Sequence, residues 1–539
     1  FSLVKLEYAL EETDKGELKG VEKFTPARRW SFLVGENERS HTAQSQLEPI
    51  LEDDQNNPTL EDLEKAFDIE TVSDEFFGEY RRLFITVKEG LDDVLLADIP
   101  NGAQASLKLE FETKNVNSVD FAKKLLGQII FLYYLQKKGW FGVPKKGKWG
   151  EGSKNFLREI FEKKHSDYEN FFNDILEPLF YQALRTDRSD DSHYYDRFDC
   201  KIPFLNGGLF DPMGNYDWEE TDIILPNDLF SNEKPTEAGD KGDGILDVFD
   251  RYNFTVREDE PFEKEVAIDP ELLGKAYEKF NAIRPDNFDE YSAALKDGKK
   301  GSESKFNKKF GVYYTPREIV HYMCQQSLIQ YLHTELNEKK SYSELGSEQT
   351  GMFGNEAKSG QLSITEEKGM TEISKEDIEM LILHGERIRE NDARVVAEGR
   401  ETSTYSFDMP PSIRAAAARV DEKLAAVKVC DPAVGSGAFP VGMMNEIVKA
   451  REVLSIYPQT SEVSTYAFKR ECIENSLYGV DIDPGAVEIA KLRLWLSLVV
   501  DEEDIHNIKP LPNLDYKLMR GNSLLGLPDG VLLNTEKLQ

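Results

Sequence analysis

The fold of the C-terminal region is indicated by residues 425–439, whose sequence is AAVKVCDPAVGSGAF. Residues 425–430 form a mostly apolar run, interrupted by Lys428, that is typical of a short buried strand, and residues 431–439 form a turn with two glycines. A helix follows, and its apolar side carries Val441, Met444, Ile447 and Val448. Strand, glycine turn and helix form the first unit of a nucleotide-binding α/β fold.

The two glycines of this turn are Gly435 and Gly437. Glycine adopts positive φ without strain, and it has no Cβ atom to hold a ligand away from the backbone. A tight turn without a ligand is the structural alternative. A dinucleotide site is disfavoured, because Pro440 stands where the third glycine of that fingerprint belongs and Asp481 lies far beyond the usual spacing of about 20 residues.

A second unit begins at residues 475–484, NSLYGVDIDP, where a strand ends in acidic residues and leads into an apolar helix. Asp483 before Pro484 has the arrangement of a helix N-cap. Asp481 lies at the carboxyl end of the strand, where open α/β sheets bind ligands, and its carboxylate can accept both hydroxyls of a ribose. Ile482 offers an apolar face to an adenine ring.

A third unit is predicted at residues 516–518, followed by Arg520-Gly521-Asn522-Ser523. The side-chain amide of Asn522 has the groups needed to hydrogen-bond the edge of an adenine. The Gly-Asn-Ser sequence is common in turns, so this assignment depends on its order after the other two units.

Upstream, residues 311–320 have the sequence GVYYTPREIV and lead into a helix. Thr315 and Glu318 have capping-box spacing, and Pro316 suits the first turn. The apolar side of this helix is predicted to carry Ile319, Val320, Met323 and Leu328. A helix N-terminus with free N–H groups can also bind the carboxylate of a ligand.

In this order the motifs resemble the amino-methyltransferases that modify adenine N6 in DNA, over residues 310–527. Residues 76–84 (FFGEYRRLF) and 202–210 (IPFLNGGLF) look similar to large single-chain restriction-modification or phage-defence methylases of the type IIG kind. The resemblance implies S-adenosylmethionine as the cofactor. Its methionine part would be held by residues 431–439, its carboxylate would lie near Thr315, its ribose at Asp481, and its adenine at Ile482 and Asn522. The cofactor-binding residues implied are Thr315, Asp431, Pro432, Gly435, Gly437, Phe439, Asp481, Ile482 and Asn522.

We therefore expect an α/β fold with a Rossmann-like, S-adenosylmethionine-dependent methyltransferase sheet. The sheet is expected to be incomplete at its C-terminal end and to follow a mainly helical domain. The predicted division is an α/β or β segment at 1–59, a helical connector domain at 60–309 and the cofactor-binding half of a methyltransferase domain at 310–539. An insertion is predicted at about 337–415.

The catalytic motif of that family, Asn/Asp/Ser-Pro-Pro followed by an aromatic residue, does not occur after Gly526, and the Pro410-Pro411 pair precedes Ser412 without an aromatic. In the family this motif accepts hydrogens from the exocyclic amine of a flipped adenine and stacks on the base. We therefore assign no catalytic residue, and expect the chain to be the cofactor half of a site-specific DNA adenine-N6 methyltransferase. Two alternatives stay open: a methyltransferase acting on RNA or protein, and a non-enzymatic cofactor-binding scaffold or sensor subunit.

Composition limits the other possibilities. The net charge of the 539 residues is -34, which argues against nucleic acid coating most of the surface but not against one basic groove. The longest apolar stretch, Leu125 to Leu135, is about half of the roughly 20 residues that cross a bilayer. We expect a cytoplasmic protein without a membrane partner, acting on double-stranded DNA with a flipped adenine and alongside other subunits of a defence system.

Metal chemistry has little support in the sequence. Cys200, Cys324, Cys430 and Cys472 are far apart and lack ligand-spaced partners, so we expect buried free thiols and no metal site. Asp98 with the Glu-x-Lys at 112–114 could belong to a nuclease, but Glu-x-Lys recurs elsewhere in the chain.

Lysines alternate with aromatic residues at 137–149, so this stretch could contact a phosphate backbone. A solvated helix end and loop is the favoured explanation.

Overall fold

The computed structural model describes the chain in two compact units. The first unit comprises Phe1–Tyr314, Asp431–Ala438 and Gly479–Gln539, and the second comprises Thr315–Cys430 and Phe439–Tyr478. The structure describes residues 2–3, 6–12, 18–24, 28–35, 38–53, 55–97, 107–189, 192–205, 208–236, 239–255, 263–271, 274, 283–296, 315–337, 372–398, 408–457, 464–500, 512–514 and 516–525.

Helices and strands are numbered here in chain order. The strands are β1 (Ser2–Leu3), β2 (Leu6–Glu12), β3 (Leu18–Phe24), β4 (Arg28–Ser31), β5 (Tyr194–Tyr195), β6 (Cys200–Lys201), β7 (Glu263–Glu265), β8 (Val429–Asp431), β9 (Leu477–Asp481) and β10 (Leu518–Arg520). The α-helices are α1 (His41–Glu52), α2 (Leu60–Ala66), α3 (Ile69–Ala97), α4 (Leu107–Lys114), α5 (Ser118–Gln136), α6 (Phe156–Phe161), α7 (Ile245–Phe249), α8 (Phe288–Lys296), α9 (Arg317–Asn337), α10 (Lys375–Glu398), α11 (Pro411–Ala415), α12 (Ala417–Ala426), α13 (Ala438–Leu454), α14 (Thr465–Asn475) and α15 (Pro484–Val500).

The N-terminal segment shares a sheet with a distant part of the first unit. Strands β2 and β3 form an antiparallel hairpin, while β4 pairs antiparallel with β1 and parallel with β7. The register of the parallel pair places Arg29 opposite Glu263. Residues 1–59 and the region 60–309 are therefore joined by strand pairing, and the division at residue 59 stays a prediction.

The core of the helical region is built around α5. Asn117 caps the helix by accepting a hydrogen bond from the backbone N–H of Asp120, and Phe121, Leu125 and Ile129 are at most 4% exposed. A buried helix here agrees with the mainly helical domain expected before residue 310. Two π-helical turns follow at Phe172–Leu176 and Pro178–Ala183.

The helical structure expected for residues 60–309 is wrong for much of the described part between residues 184 and 284. That part consists mainly of short strands, 3-10 turns and loops, with the short helix α7. Glycine, proline, asparagine and aspartate are frequent between residues 205 and 244, and these residues favour turns over continuous helix.

The second unit packs helix on helix. α9 contacts α10 and α12, and α12 contacts α14. Val320 and Leu328 of α9 are buried as expected, but Ile319 and Met323 are 50% and 47% exposed, so the apolar side predicted for this helix is half wrong. The predicted insertion contains α10, and residues 338–371 lie outside the described residues.

Strands β8, β9 and β10 form a sheet in the order β10-β9-β8, in which β9 and β10 run parallel with Arg520 opposite Asp481. Two strand boundaries differ from expectation. Ala425 and Ala426 end α12 instead of starting a strand, because alanine is the strongest helix former. The third strand begins at Leu518, two residues later than expected.

Candidate functional site

The glycine turn after β8 has the backbone geometry that its sequence predicts. Gly435 and Gly437 adopt φ values of 51° and 84°, in the left-handed region that favours glycine. The N–H of Gly437 donates to the carbonyl of Val434 at 2.9 Å, which closes the turn. The N–H of Val434 donates to the carbonyl of Val480 at 3.0 Å, so the turn is attached to the neighbouring strand.

Asp431, the last residue of β8, carries a buried oxygen atom without a hydrogen-bond partner among the described residues. Its Oδ1 accepts the N–H of Ala433 at 3.0 Å, while Oδ2 is the buried, unpartnered atom. Burial, opposed by the Ala433 hydrogen bond and reinforced by the nearby charge of Asp481, raises the pKa of Asp431. Oδ2 of Asp431 is therefore a hydrogen-bond acceptor that a donor group of a ligand would stabilise.

Asp481, at the end of β9, connects the glycine turn to the next loop. Its Oδ2 accepts the N–H of Gly435 and its Oδ1 accepts the N–H of Asp483, both at 2.9 Å. A carboxylate oxygen can accept more than one hydrogen bond, so these contacts leave acceptor capacity for a ligand. The ribose role of Asp481 stays a prediction.

Asp483 caps α15, as expected. Its Oδ1 accepts the N–H groups of Gly485 and Ala486 at 2.7 and 3.2 Å, and Pro484 is the first residue of the helix. Ile482, between the two aspartates, is 57% exposed. An exposed branched apolar side chain at this position is compatible with the predicted contact to a ring.

The end of β10 lies beside the glycine turn. The N–H of Gly521 donates to the carbonyl of Asp481 at 2.8 Å, and the hydroxyl of Ser523 donates to the carbonyl of exposed Pro432 at 2.7 Å. Asn522 is exposed, and its Oδ1 accepts the N–H of Leu524. Ser523 was not among the residues predicted from the sequence, where its only signal is its place directly after Asn522.

Gly437 also has a packing constraint. A Cβ atom at this position would lie 3.0 Å from both Cα and Cβ of Ala490 in α15. The close neighbour of Gly437 is therefore a helix of the protein itself, whereas the sequence pattern pointed to a ligand or to the turn alone.

The predicted residues fall into two groups. Those in the first unit cluster at the carboxyl ends of β8, β9 and β10, and they are Asp431, Pro432, Gly435, Gly437, Asp481, Ile482 and Asn522. Thr315 and Phe439 belong to the second unit. Thr315 is half-buried just before α9, and Phe439 lies in the first turn of α13.

Within the second unit, α9 packs on α13. The thiol of Cys324 lies 3.9 Å from the carbonyl oxygen of Phe439, and His321 Nδ1 lies 2.7 Å from Oε1 of the buried Glu446. The helix that begins after Thr315 is therefore fixed to the helix that carries Phe439. The placement of Thr315 at the cofactor stays a prediction.

The cysteines differ in one respect from expectation. Cys200, Cys324 and Cys472 are buried, but Cys430 is exposed, because it occupies the outward-facing middle position of β8. Among the described residues, no group of three His, Cys, Asp or Glu side chains could hold a metal ion. Asp98 of the nuclease hypothesis lies outside the described residues, while Glu112 and Lys114 are exposed in α4.

The lysine-rich stretch after α5 is partly engaged in internal contacts. Lys137 pairs with Glu38, and Lys145 Nζ lies 4.1 Å from the centre of the Tyr194 ring. Trp140 is fully buried. These contacts account for part of the pattern, and contact with a phosphate backbone stays a prediction.

None of the helices in the described ranges is long and apolar enough to cross a membrane.

Comparison with known proteins links the second and third sequence units to one family. Residues 475–531 match the family model described as Eco57I restriction-modification methylase, and this segment contains β9, α15 and β10. A protein of Methanocaldococcus jannaschii, provisionally named a type II restriction enzyme and methyltransferase, is 27% identical over 523 residues. The alignment covers 92% of this chain and 36% of that protein, so the chain spans about a third of its relative's length.

Among solved structures, the chain is similar to MmeI, a Type IIL restriction-modification enzyme in complex with DNA, with a TM-score of 0.36 and 13% identity. The similarity covers 83% of this chain and 40% of that one. The family match at residues 475–531 and the relative from M. jannaschii together support a restriction-modification methylase region in this chain.

Proposed function

We propose that the chain is the cofactor-binding part of a site-specific DNA adenine-N6 methyltransferase that uses S-adenosylmethionine. The observation that carries this proposal is the buried, unpartnered Oδ2 of Asp431 at the end of β8, next to a turn with two left-handed glycines. A carboxylate in this position suits the ammonium group of a methionine moiety, because a charged donor would complete its hydrogen bonding.

The strand order supports a Rossmann-like sheet. In a doubly wound sheet the first three strands stand in the order 3-2-1, and the ligand binds at the carboxyl ends near the first strand. The order β10-β9-β8 has this pattern, and Asp431 ends the strand that corresponds to the first.

The remaining residues would then divide the cofactor between them. Asp481 has acceptor capacity for the ribose hydroxyls, and Ile482 offers an exposed apolar surface to the adenine. Asn522 supplies an exposed amide next to Ser523, whose hydroxyl donates to Pro432. Thr315 and Phe439 are assigned to the methionine part by the resemblance of the motifs. This assignment rests on the motif order for both residues.

Bound S-adenosylmethionine would supply an electrophilic methyl group, so the reaction requires a nucleophilic amine held in line with it. Adenine N6 is a poor nucleophile because its lone pair is conjugated with the ring, and positioning must compensate. The proposed partner is double-stranded DNA with the target adenine flipped out. Adenine specificity and a role in phage defence rest on the resemblance of the motifs alone, and action within a restriction-modification system is also supported by the family match at residues 475–531.

Isothermal titration calorimetry with S-adenosylmethionine tests the proposal. We expect one site on the wild-type chain and loss of at least about tenfold in affinity for Asp431→Asn, which removes the charge that would face the ammonium group. Asp62→Asn is the matched control, because Asp62 is an exposed carboxylate in the capping box of α2. Absence of binding by the wild-type chain, or equal affinity in Asp431→Asn, would contradict the proposal.

A further inference from the structure

Arg493, one turn after Ala490 in α15, places a buried cation directly behind the glycine turn. The side chain is 3% exposed, and its Nη1 donates to the carbonyl oxygen of Ser436 at 3.2 Å. Ser436 itself is fully buried. Neither the sequence motifs nor the family match gives Arg493 a role.

Two glycines show how closely this arrangement is packed. A Cβ atom at Gly274 would lie 2.6 Å from Arg493 Nη1 and 3.1 Å from the hydroxyl oxygen of Ser436. A Cβ atom at Gly437 would lie 3.0 Å from Ala490, which precedes Arg493 by three residues and so faces the same side of α15. The guanidinium therefore lies between the glycine turn and Gly274, with little space to move.

The hydrogen bond acts on the peptide group that joins Ser436 to Gly437. Because a peptide group is planar, holding its carbonyl oxygen also fixes the direction of the Gly437 N–H, which donates to Val434. The same turn presents Gly435 to Asp481. A charged donor on the Ser436 carbonyl should therefore stabilise the conformation of the whole turn.

We propose that Arg493 is a positioning residue that holds the glycine turn in its ligand-binding conformation, and that Gly274 of the connector region keeps its guanidinium in place. The expected effect of Arg493 on cofactor affinity rests on the proposed function. The effect of Arg493 on the turn itself does not depend on the identity of the ligand. The consequence is that the region before residue 310 contributes to the cofactor site through Gly274.

The test compares Arg493→Met, Arg493→Lys and Gly274→Ala by calorimetry with S-adenosylmethionine. We expect the dissociation constant to rise about tenfold or more in Arg493→Met and Gly274→Ala, and Arg493→Lys to retain part of the affinity because it keeps a charged donor. Arg451→Lys is the control for a buried arginine, since Arg451 pairs with Asp421 and Glu471 in the second unit. Gly78→Ala is the control for the added methyl, because a Cβ there would have no neighbour within 4 Å.

A second measurement separates this inference from the proposed function. Amide hydrogen exchange of Gly437 in the ligand-free protein should become at least about tenfold faster in Arg493→Met and Gly274→Ala, and stay unchanged in both controls. If Arg493→Met does not fold, Gly274→Ala alone decides the outcome. Unchanged exchange at Gly437 in the two variants would overturn the inference even if the wild-type chain binds S-adenosylmethionine. If the wild-type chain binds no cofactor but exchange at Gly437 is faster in the variants, only the proposed function is contradicted.

Discussion

The backbone N–H of Gly435 donates to the Oδ2 of Asp481 at 2.9 Å. This bond joins the turn after β8 to the end of β9 across 46 residues of sequence. Asp481 therefore has a structural task before any ligand binds, because it holds both the glycine turn and, through Oδ1, the backbone of Asp483.

The first prediction follows from this double task. Asp481→Ala should raise the dissociation constant for S-adenosylmethionine by about tenfold to a hundredfold, since a hydrogen bond to a charged group contributes roughly 1.5 to 3 kcal/mol. It should also lower the thermal midpoint, because the N–H groups of Gly435 and Asp483 lose their acceptor. Calorimetry and thermal unfolding on the same samples measure both effects. Unchanged affinity would remove Asp481 from the ribose role.

The second prediction concerns the stability of the ligand-free protein and Asp431. Burial raises the pKa of this carboxyl above its ordinary value of 3.8. Because the folded state binds the proton more tightly, its stability falls as the pH rises from that ordinary value through the raised one. Above this pH range the buried carboxylate is charged and destabilises the folded state, whereas an asparagine stays uncharged.

Asp431→Asn should therefore raise the thermal midpoint of the ligand-free protein at neutral pH by about 1 to 3 °C while weakening cofactor binding. The advantage should shrink as the pH is lowered toward 4. Thermal unfolding at several pH values measures it, with Asp93→Asn as the control, because Asp93 is an exposed carboxylate in α3. A variant that is less stable than wild type at neutral pH would show that Asp431 has a favourable partner in the free protein.

The third prediction separates packing from ligand approach at Gly437. Gly437→Ala should lower the free energy of unfolding by about 1 to 3 kcal/mol, because a side chain is strained at a φ of 84° and meets Ala490. Adding Ala490→Gly should relieve the contact and recover part of the loss. If the double variant recovers stability but binds cofactor poorly, the ligand also approaches this glycine. If stability and cofactor affinity both recover, packing alone explains the need for glycine at position 437.

The fourth prediction is that the 539-residue chain binds S-adenosylmethionine but does not methylate DNA by itself. Its sequence contains no Asn/Asp/Ser-Pro-Pro-aromatic motif to orient the adenine amine, and orientation contributes a large part of such a rate. Incubation with labelled cofactor and mixed-sequence duplex DNA measures transfer, and a C-terminally extended chain that carries the motif is the matched comparison. Methyl transfer to adenine by the 539 residues alone would disprove this prediction, and cofactor binding without transfer by either chain would favour a scaffold or sensor subunit.

Local features of the site were predictable from sequence because neighbouring residues determine them. The cap at Asp483 and the glycine turn both follow from short patterns. Ala425 and Ala426 were misassigned to a strand because an apolar run of this length suits a helix end equally well.

The contacts that the sequence did not reveal are long-range. Arg493 meets Ser436 and Gly274 across 57 and 219 residues, and no local pattern marks an arginine that will be buried behind a turn. The orphaned oxygen of Asp431 and the exposure of Cys430 also depend on which neighbours cover the end of β8. Such features can be identified only once the tertiary structure is known.

The parallel pairing of β4 with β7 has a consequence for how the chain is made. Arg29 finds its partner Glu263 only after more than 230 further residues have been added, and the side chain of Asn253 then bonds the backbone of Leu33 and Arg39. At roughly 5 to 20 residues per second, a ribosome leaves this strand edge without β7 for about 10 to 50 s. During synthesis the exposed β4 edge is a place where a chaperone, or a second nascent chain, could pair before the native partner emerges.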